Sequence, residues 1–194
     1  MKTALVTGAG RRLGRAIALD LAADGWNIVI HYNSSEDEAD SAAQSVRAFG
    51  MEAATVRCDL SKESDTLTLI DRATAELGPL TALVNSASLF EDDAWNTVTR
   101  KSWDDHLEIN LRAPFVLAQG FARQLPDGVI GNIVNVIDQR VLKPTPQFLS
   151  YSLSKAGLYW LTTTLAQALA PRIRVNAVGS GPTIRNARQS EADF

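Results

Sequence analysis

The chain alternates between short, continuous apolar runs and longer stretches with helical spacing. Residues 3–7 form an apolar run that halts at Gly8 and reads as a buried strand. Leu13, Ile17 and Leu21 then recur on one face, which predicts a helix over 14–24 with Gly25 as its stop. Residues 27–32 make the second strand. Ser35-Glu36-Asp37-Glu38 has the form of a capping box and opens a helix to Phe49, closed by Gly50. The third strand is 53–58, and the helix after it, 62–77, stops at Gly78-Pro79. The fourth strand is 80–85. A long helix over 101–124 contains Pro114, which predicts a kink there. A strand at 131–137, a helix at 150–170 and a strand at 173–178 complete the series.

Strands that are apolar throughout, in strict alternation with helices, predict an α/β fold: a doubly wound parallel sheet covered by helices on both faces. The 194 residues show no repeat, linker or low-complexity tract, so a single domain over 1–194 is expected. With 45% hydrophobic residues and a net charge of −3, the chain has material for a full core. Mild acidity offers no electrostatic reason to expect nucleic acid or an anionic membrane as partner. One cysteine, Cys58, excludes an intrachain disulfide framework and a cysteine zinc cluster, and an inert core thiol is expected. His31 and His106 fall on distant elements, so no metal site is expected. The run at 3–7 is too short for the apolar core of a secretion signal, and nothing later approaches a membrane span. The expectation is a soluble, cytoplasmic protein.

Candidate chemistry begins at Thr7-Gly8-Ala9-Gly10-Arg11-Arg12-Leu13-Gly14, between the first strand and the first helix. A glycine-rich turn there brings backbone N–H groups and the positive helix end toward a pyrophosphate. The spacing departs from G-x-G-x-x-G, so the loop draws its weight from its place in the chain. The second strand ends His31-Tyr32-Asn33-Ser34, without the carboxylate that binds a ribose 2′-hydroxyl in NAD sites. Arg11 and Arg12 add positive charge beside it, which favours NADP(H) over NAD. Further on, Tyr151 and Lys155 stand four apart in a helical stretch. Residues so spaced share a face, about 5–6 Å apart at Cβ. An ammonium at that range is expected to lower the phenol's pKa from about 10 and make it a proton donor or acceptor near neutrality.

Several segments in one order resemble the short-chain dehydrogenase/reductase family across nearly the whole chain. The loop from Thr7 to Gly14 is similar to the family's Thr-Gly-x-x-x-Gly-x-Gly, Asp59-Leu60 to its adenine-contacting pair, and Asn85-Ser86-Ala87-Ser88 to its Asn-Asn-Ala-Gly segment. Asn110 and Tyr151-x-x-x-Lys155 match its helix Asn and its Tyr-x-x-x-Lys. The resemblance implies a Rossmann-like fold. It implies cofactor contacts from Gly8, Arg11, Arg12, Leu13, Gly14, Tyr32, Asn33, Ser34, Asp59, Leu60, Asn85, Ala87, Tyr151 and Lys155. It also implies a homodimer or tetramer through two long helices, for which Leu158, Trp160, Leu161 and Leu165 supply apolar surface.

Three departures point within the family. Arg12 replaces the loop's middle glycine, Asp138 replaces the serine thirteen before the tyrosine, and Phe90 follows the Asn85 segment. Together they resemble the pteridine reductase and dihydromonapterin reductase branch. By that resemblance Arg12 reaches phosphate and pterin, Phe90 stacks the pterin, Ser88 walls the pocket, and Asp138 works with Tyr151. Asn110 positions a water of the proton relay and Lys155 holds the nicotinamide ribose. An ionised Asp can only accept hydrogen bonds, and beside a developing alkoxide it repels where a donor is needed. Asp138 is therefore protonated by burial, or the substrate brings N–H donors, or the site is inactive. The expected reaction is hydride transfer from NADPH to a pterin C=N bond with Tyr151 as proton donor. A general ketone or 3-oxoacyl reductase and a non-catalytic NADP-binding sensor are the alternatives. After the sixth strand, Gly179-Ser180-Gly181-Pro182-Thr183 stands where the family has Pro-Gly, and a substrate loop begins near 180. The family's seventh strand is absent from this sequence.

Overall fold

The computed structural model describes residues 2–181. The expected substrate loop lies almost wholly outside them. Six strands alternate with helices: β1 (Thr3–Val6), α1 (Arg12–Ala23), β2 (Asn27–Tyr32), α2 (Glu36–Ala48), β3 (Ala53–Arg57), α3 (Glu63–Leu77) and β4 (Ala82–Asn85). There follow α4 (Arg100–Leu107), a π-helical turn (Glu108–Arg112), α5 (Ala113–Gln124), β5 (Gly131–Asp138), a 3₁₀ turn (Gln139–Val141), α6 (Leu149–Leu169) and β6 (Ile173–Ser180). The strands form one sheet in the order β3-β2-β1-β4-β5-β6, and every pairing is parallel. This is the doubly wound, Rossmann-like fold.

Because strand side chains alternate, each strand feeds two cores. Leu5, Val29, Leu83 and Ile133 face α3 and α5, where Leu69, Ile70, Leu117 and Phe121 bury against them. Ala4, Val6, Ile28, Ile30 and Val84 face the opposite layer, against alanines of α1 and α2 and Val46. The small residues let those two helices approach the sheet closely. Chain order reverses between β1 and β4, and the splayed loops at their carboxyl ends open a crevice there.

Two local expectations are corrected. The 101–124 helix carries its irregularity just before Pro114, with helical backbone running through both junctions. A π turn over Glu108–Arg112 absorbs an extra residue, and Pro114 then sits in the first turn of α5. Its missing N–H costs nothing by the ladder there. Ser35 makes no side-chain cap on α2. The capping box is at Thr99, whose hydroxyl accepts the Ser102 N–H (3.0 Å) while Ser102 Oγ accepts the Thr99 N–H (3.1 Å).

Candidate active site

At the crevice the loop after β1 turns through Gly8 at φ +66°, a conformation open to glycine at little cost. A Cβ on Gly14 would lie 2.3 Å from the Gly8 carbonyl oxygen, so the start of α1 packs directly on the loop. Arg12 takes φ +50° at the place of the family's middle glycine, a strained conformation for a residue with a side chain. The loop is pinned from beneath. His31 Nδ1 accepts the Gly8 N–H (3.0 Å) and His31 Nε2–H donates to the Cys58 carbonyl (3.0 Å). Burial pushes this imidazole down to about 4, so it is neutral and fixed in one tautomer. Cys58 is buried and its thiol is pushed up to about 12, again by burial first, in keeping with the inert thiol expected.

The opposite wall is made of side chains. The Tyr151 hydroxyl donates to Asp138 Oδ2 (2.9 Å). Asp138 also accepts the Arg140 N–H (2.8 Å) and a longer contact from the Arg140 guanidinium (3.5 Å). All three contacts bring donors to the carboxyl oxygens. Phe90 stacks on Phe148 with centroids 4.4 Å apart and meets Tyr151 edge-on at 4.6 Å. The Arg140 guanidinium lies over both phenylalanine rings, at 5.6 and 5.0 Å. Lys155 is buried behind Tyr151. Its ammonium donates to the Val136 carbonyl (2.9 Å), and burial lowers its pKa to about 8.

The Tyr151 pKa moves opposite to expectation. Burial raises it first, the Asp138 charge second, and the hydrogen bond to Asp138 third. Lys155 stands 5.9 Å from the phenol ring, and its ammonium is committed to Val136. Burial and the carboxylate that accepts the hydroxyl hydrogen bond together outweigh the lowering pull of the Arg140 guanidinium.

The structure gathers most of the expected residues around one cleft of about 590 Å³. Gly8, Arg11, Arg12, Leu13, Gly14, Asn33, Asp59, Leu60, Ala87, Ser88, Phe90, Asp138, Tyr151 and Lys155 all line it. Tyr32, Ser34, Asn85 and Asn110 are not among its walls. Tyr32 turns into the core and donates to Glu36 (3.2 Å). Ser34 is exposed beyond the strand end. Asn85 Nδ2 donates across the sheet to Asn135 Oδ1 (2.8 Å). Asn110 is wholly buried, and its amide is fully engaged. Its oxygen accepts from Leu89 N–H (2.8 Å) and Ser88 Oγ, and its nitrogen donates to the Leu89 carbonyl and Ser154 Oγ. Through these bonds the Asn110 side chain clamps the loop that carries Ser88 and Phe90. His31, Arg140 and Phe148 went unrecognised as parts of this site. Only Arg140 had a local signal, two residues from Asp138.

The short chain dehydrogenase family model matches residues 2–193, and the chain belongs to that family. It is 32% identical over 193 residues to the 3-oxoacyl-[acyl-carrier-protein] reductase FabG of Staphylococcus epidermidis, covering 99% of this chain and 79% of the relative. Among solved structures it is similar to FolM alternative dihydrofolate reductase 1 from Brucella canis, complexed with NADP. That match has 45% identity and a TM-score of 0.95, and covers 99% of this chain and 76% of the other. A short chain dehydrogenase from Burkholderia cenocepacia, also in complex with NADP, superposes with a TM-score of 0.92 at 35% identity, covering 99% and 80% of the two chains.

Proposed function

We propose that this chain is an NADPH-dependent reductase that reduces a C=N bond of a dihydropterin, with Tyr151 as proton donor. The carrying observation is Asp138 at 2.9 Å from the Tyr151 hydroxyl, against the Phe90 and Phe148 rings. A carboxylate there opposes an alkoxide forming from a ketone, and it suits the N–H groups of a reduced pterin. The likeness to a FolM dihydrofolate reductase at 45% identity supports the same choice.

The residues present fit the cofactor. The glycines of the Gly8–Gly14 loop let it pack tightly on the start of α1 and on Ala87, and the loop opens on the N-terminus of α1. Gly8, Arg11, Arg12, Leu13 and Gly14 would hold the pyrophosphate, with the two arginines and Asn33 on the 2′-phosphate side. Asp59 and Leu60 would bound the adenine, and Ala87 and Lys155 the nicotinamide end. Bound in this way, NADPH supplies the hydride. Tyr151, held protonated by its surroundings, keeps the site loaded for reduction. Asp138 accepts from the phenol at rest and from substrate N–H groups on binding. Phe90, backed by Phe148, presents an aromatic face to the heterocycle, and Arg140 holds Asp138 against it.

The second reading, a 3-oxoacyl or ketone reductase, draws on the 32% identity to FabG. NADPH oxidation by the purified protein, with a dihydropterin and with a ketone or acyl thioester in parallel, separates the two. Turnover of the dihydropterin alone is expected, and turnover of the carbonyl compound alone would overturn the pterin reading. We extend the proposal to a homo-oligomer. On α6, Leu158 is core and Leu161 and Leu165 are partly covered, while Tyr159 and Trp160 stay exposed as material for a second copy. Sedimentation reads the state directly.

A further inference from the structure

Behind the cleft lies a polar cluster that the reaction does not use. His106 and Ser150 are fully buried and Asp93 is 4% exposed. The Asp93 carboxylate accepts the Ser150 N–H (3.0 Å) and the Ser150 hydroxyl, and its backbone carbonyl accepts the Leu149 N–H (3.1 Å). These bonds cap the N-terminus of α6, one residue before Tyr151. His106 Nδ1 sits 2.7 Å from Ser150 Oγ, and His106 Nε2 accepts the Glu91 N–H (3.1 Å).

The proton inventory has one solution. The serine gives its only proton to Asp93, so it accepts from His106 and Nδ1 carries the hydrogen. Nε2 must be bare to accept from Glu91. The chain of donation therefore runs from Glu91 N–H through the imidazole to Ser150 and ends on Asp93. Burial lowers the His106 pKa, which keeps the ring in this neutral form. Glu91 follows Phe90 directly, and Ser150 precedes Tyr151 directly. The edge of the imidazole also meets the Tyr151 ring, with centroids 6.1 Å apart.

We propose that His106 is a positioning residue that locks the Phe90 loop to the Tyr151 helix, one ring nitrogen to each, and so sets where the substrate ring lies relative to its proton donor. Its two bonds reach separate parts of the machine, so they can be cut one at a time. Asn at 106 retains a short amide that can donate to Ser150 but does not reach Glu91. Gln at 106 extends a carbonyl to Glu91 and gives up the geometry at Ser150.

The kinetic arm rests on the pterin reading, and the structural arm does not. In His106→Asn, amide exchange over 89–93 should speed up about tenfold while 149–155 stays protected, as loss of one buried hydrogen bond of roughly 1.4 kcal/mol implies. The KM for a dihydropterin should rise by a similar factor with kcat within about threefold. In His106→Gln the pattern should reverse, with kcat falling more than KM rises. Equal loss in both segments, or in both constants, for both variants would mean a merely structural histidine and overturn the proposal. Nitrogen-15 NMR of the wild-type imidazole adds a test that needs no variant to fold. A proton on Nδ1 and a bare Nε2 are expected, and a proton on Nε2 overturns the lock. Wild-type protein that turns over no dihydropterin overturns the substrate reading alone, and exchange and tautomer then decide the lock by themselves.

Discussion

On the β1–β3 side of the cleft, position is set by backbone. Gly8 turns at φ +66°, Gly14 packs on the Gly8 carbonyl, and a neutral histidine holds the loop by its N–H. On the β4–β6 side, position is set by side chains reaching across long sequence distances. Asn110 clamps the Ser88–Leu89 backbone, the Tyr151 hydroxyl reaches Asp138 from another element, and Asp93 caps α6 from 57 residues away. A cradle for a constant ligand can be made of main chain, which mutation hardly alters. A wall of side chains can be exchanged residue by residue while the sheet stays the same. This contrast accounts for how one fold supports the resemblance to both a 3-oxoacyl reductase and a FolM dihydrofolate reductase.

The two sides should respond differently to mutation. The largest effect belongs to the side-chain wall. Tyr151→Phe removes the proton donor and leaves the ring against Phe90, so kcat should fall by about 10³-fold or more, within the usual range for lost acid catalysis. NADPH affinity, followed by fluorescence titration, should change less than twofold. A matching loss of affinity would mean that the tyrosine belongs to the cradle.

The backbone side breaks at Gly14. A Cβ there meets backbone at 2.3, 2.9 and 3.1 Å, none of which can rotate away. Gly14→Ala should cost roughly 3 kcal/mol or more by urea unfolding and weaken NADPH by at least about tenfold. Gly157→Ala is the control. Its Cβ would meet the end of the Leu111 side chain at 2.8 Å, a group that can move. It should cost about 1 kcal/mol and spare the cofactor. Equal effects would erase the distinction drawn between the two sides.

This contrast also governs what was legible beforehand. The parallel sheet was readable because buried strands are apolar throughout. The glycine loop was readable because close backbone approach admits only one residue type at fixed offsets. Tyr151 and Lys155 were found through helical spacing, and Asp138 and Phe90 through their departure from a family pattern. Phe148 and His106 were not readable as site residues. Their meaning lies in partners elsewhere in the chain: Phe148 in Phe90, and His106 in Ser150, 44 residues on. Local periodicity carries no trace of such pairs. The Tyr151 pKa went astray for a related reason. Spacing within one helix shows the ammonium, but neither the burial of the phenol nor the carboxylate at the end of β5 that adds to it. Ser35 failed as a cap because a motif's composition does not show whether the side chain turns inward. Asn85 and Tyr32 have positions fixed by β4 and β2, but their side chains took up partners within the protein.

His31 allows a finer test of the cradle. Its value is 6.5 when unfolded and about 4 in the fold. Above 6.5 both states hold it neutral and its contribution to stability is complete. As pH falls from 6.5 toward 4, the unfolded chain takes up a proton that the fold refuses. Stability should therefore drop, by on the order of 3 kcal/mol in all. His31→Gln should flatten the difference between pH 7 and pH 4.5 relative to wild type in matched urea titrations. Parallel curves would show that the imidazole is not the group refusing the proton.

The smallest effect is the most specific. Arg12 holds φ +50° where the family's loop has glycine. That conformation costs a side-chain-bearing residue about 1 kcal/mol, a cost that persists only if the arginine does something there. Arg12→Gly should therefore stabilise the cofactor-free protein by up to about 1 kcal/mol, since glycine visits this region freely. The same change should weaken NADPH by several-fold and raise the KM for a dihydropterin. Opposite signs in stability and binding would show that strain in the backbone cradle is borne so that one side chain can enter the cleft. Unchanged binding with higher stability would place the guanidinium outside the site, and the cradle would then act through main chain alone.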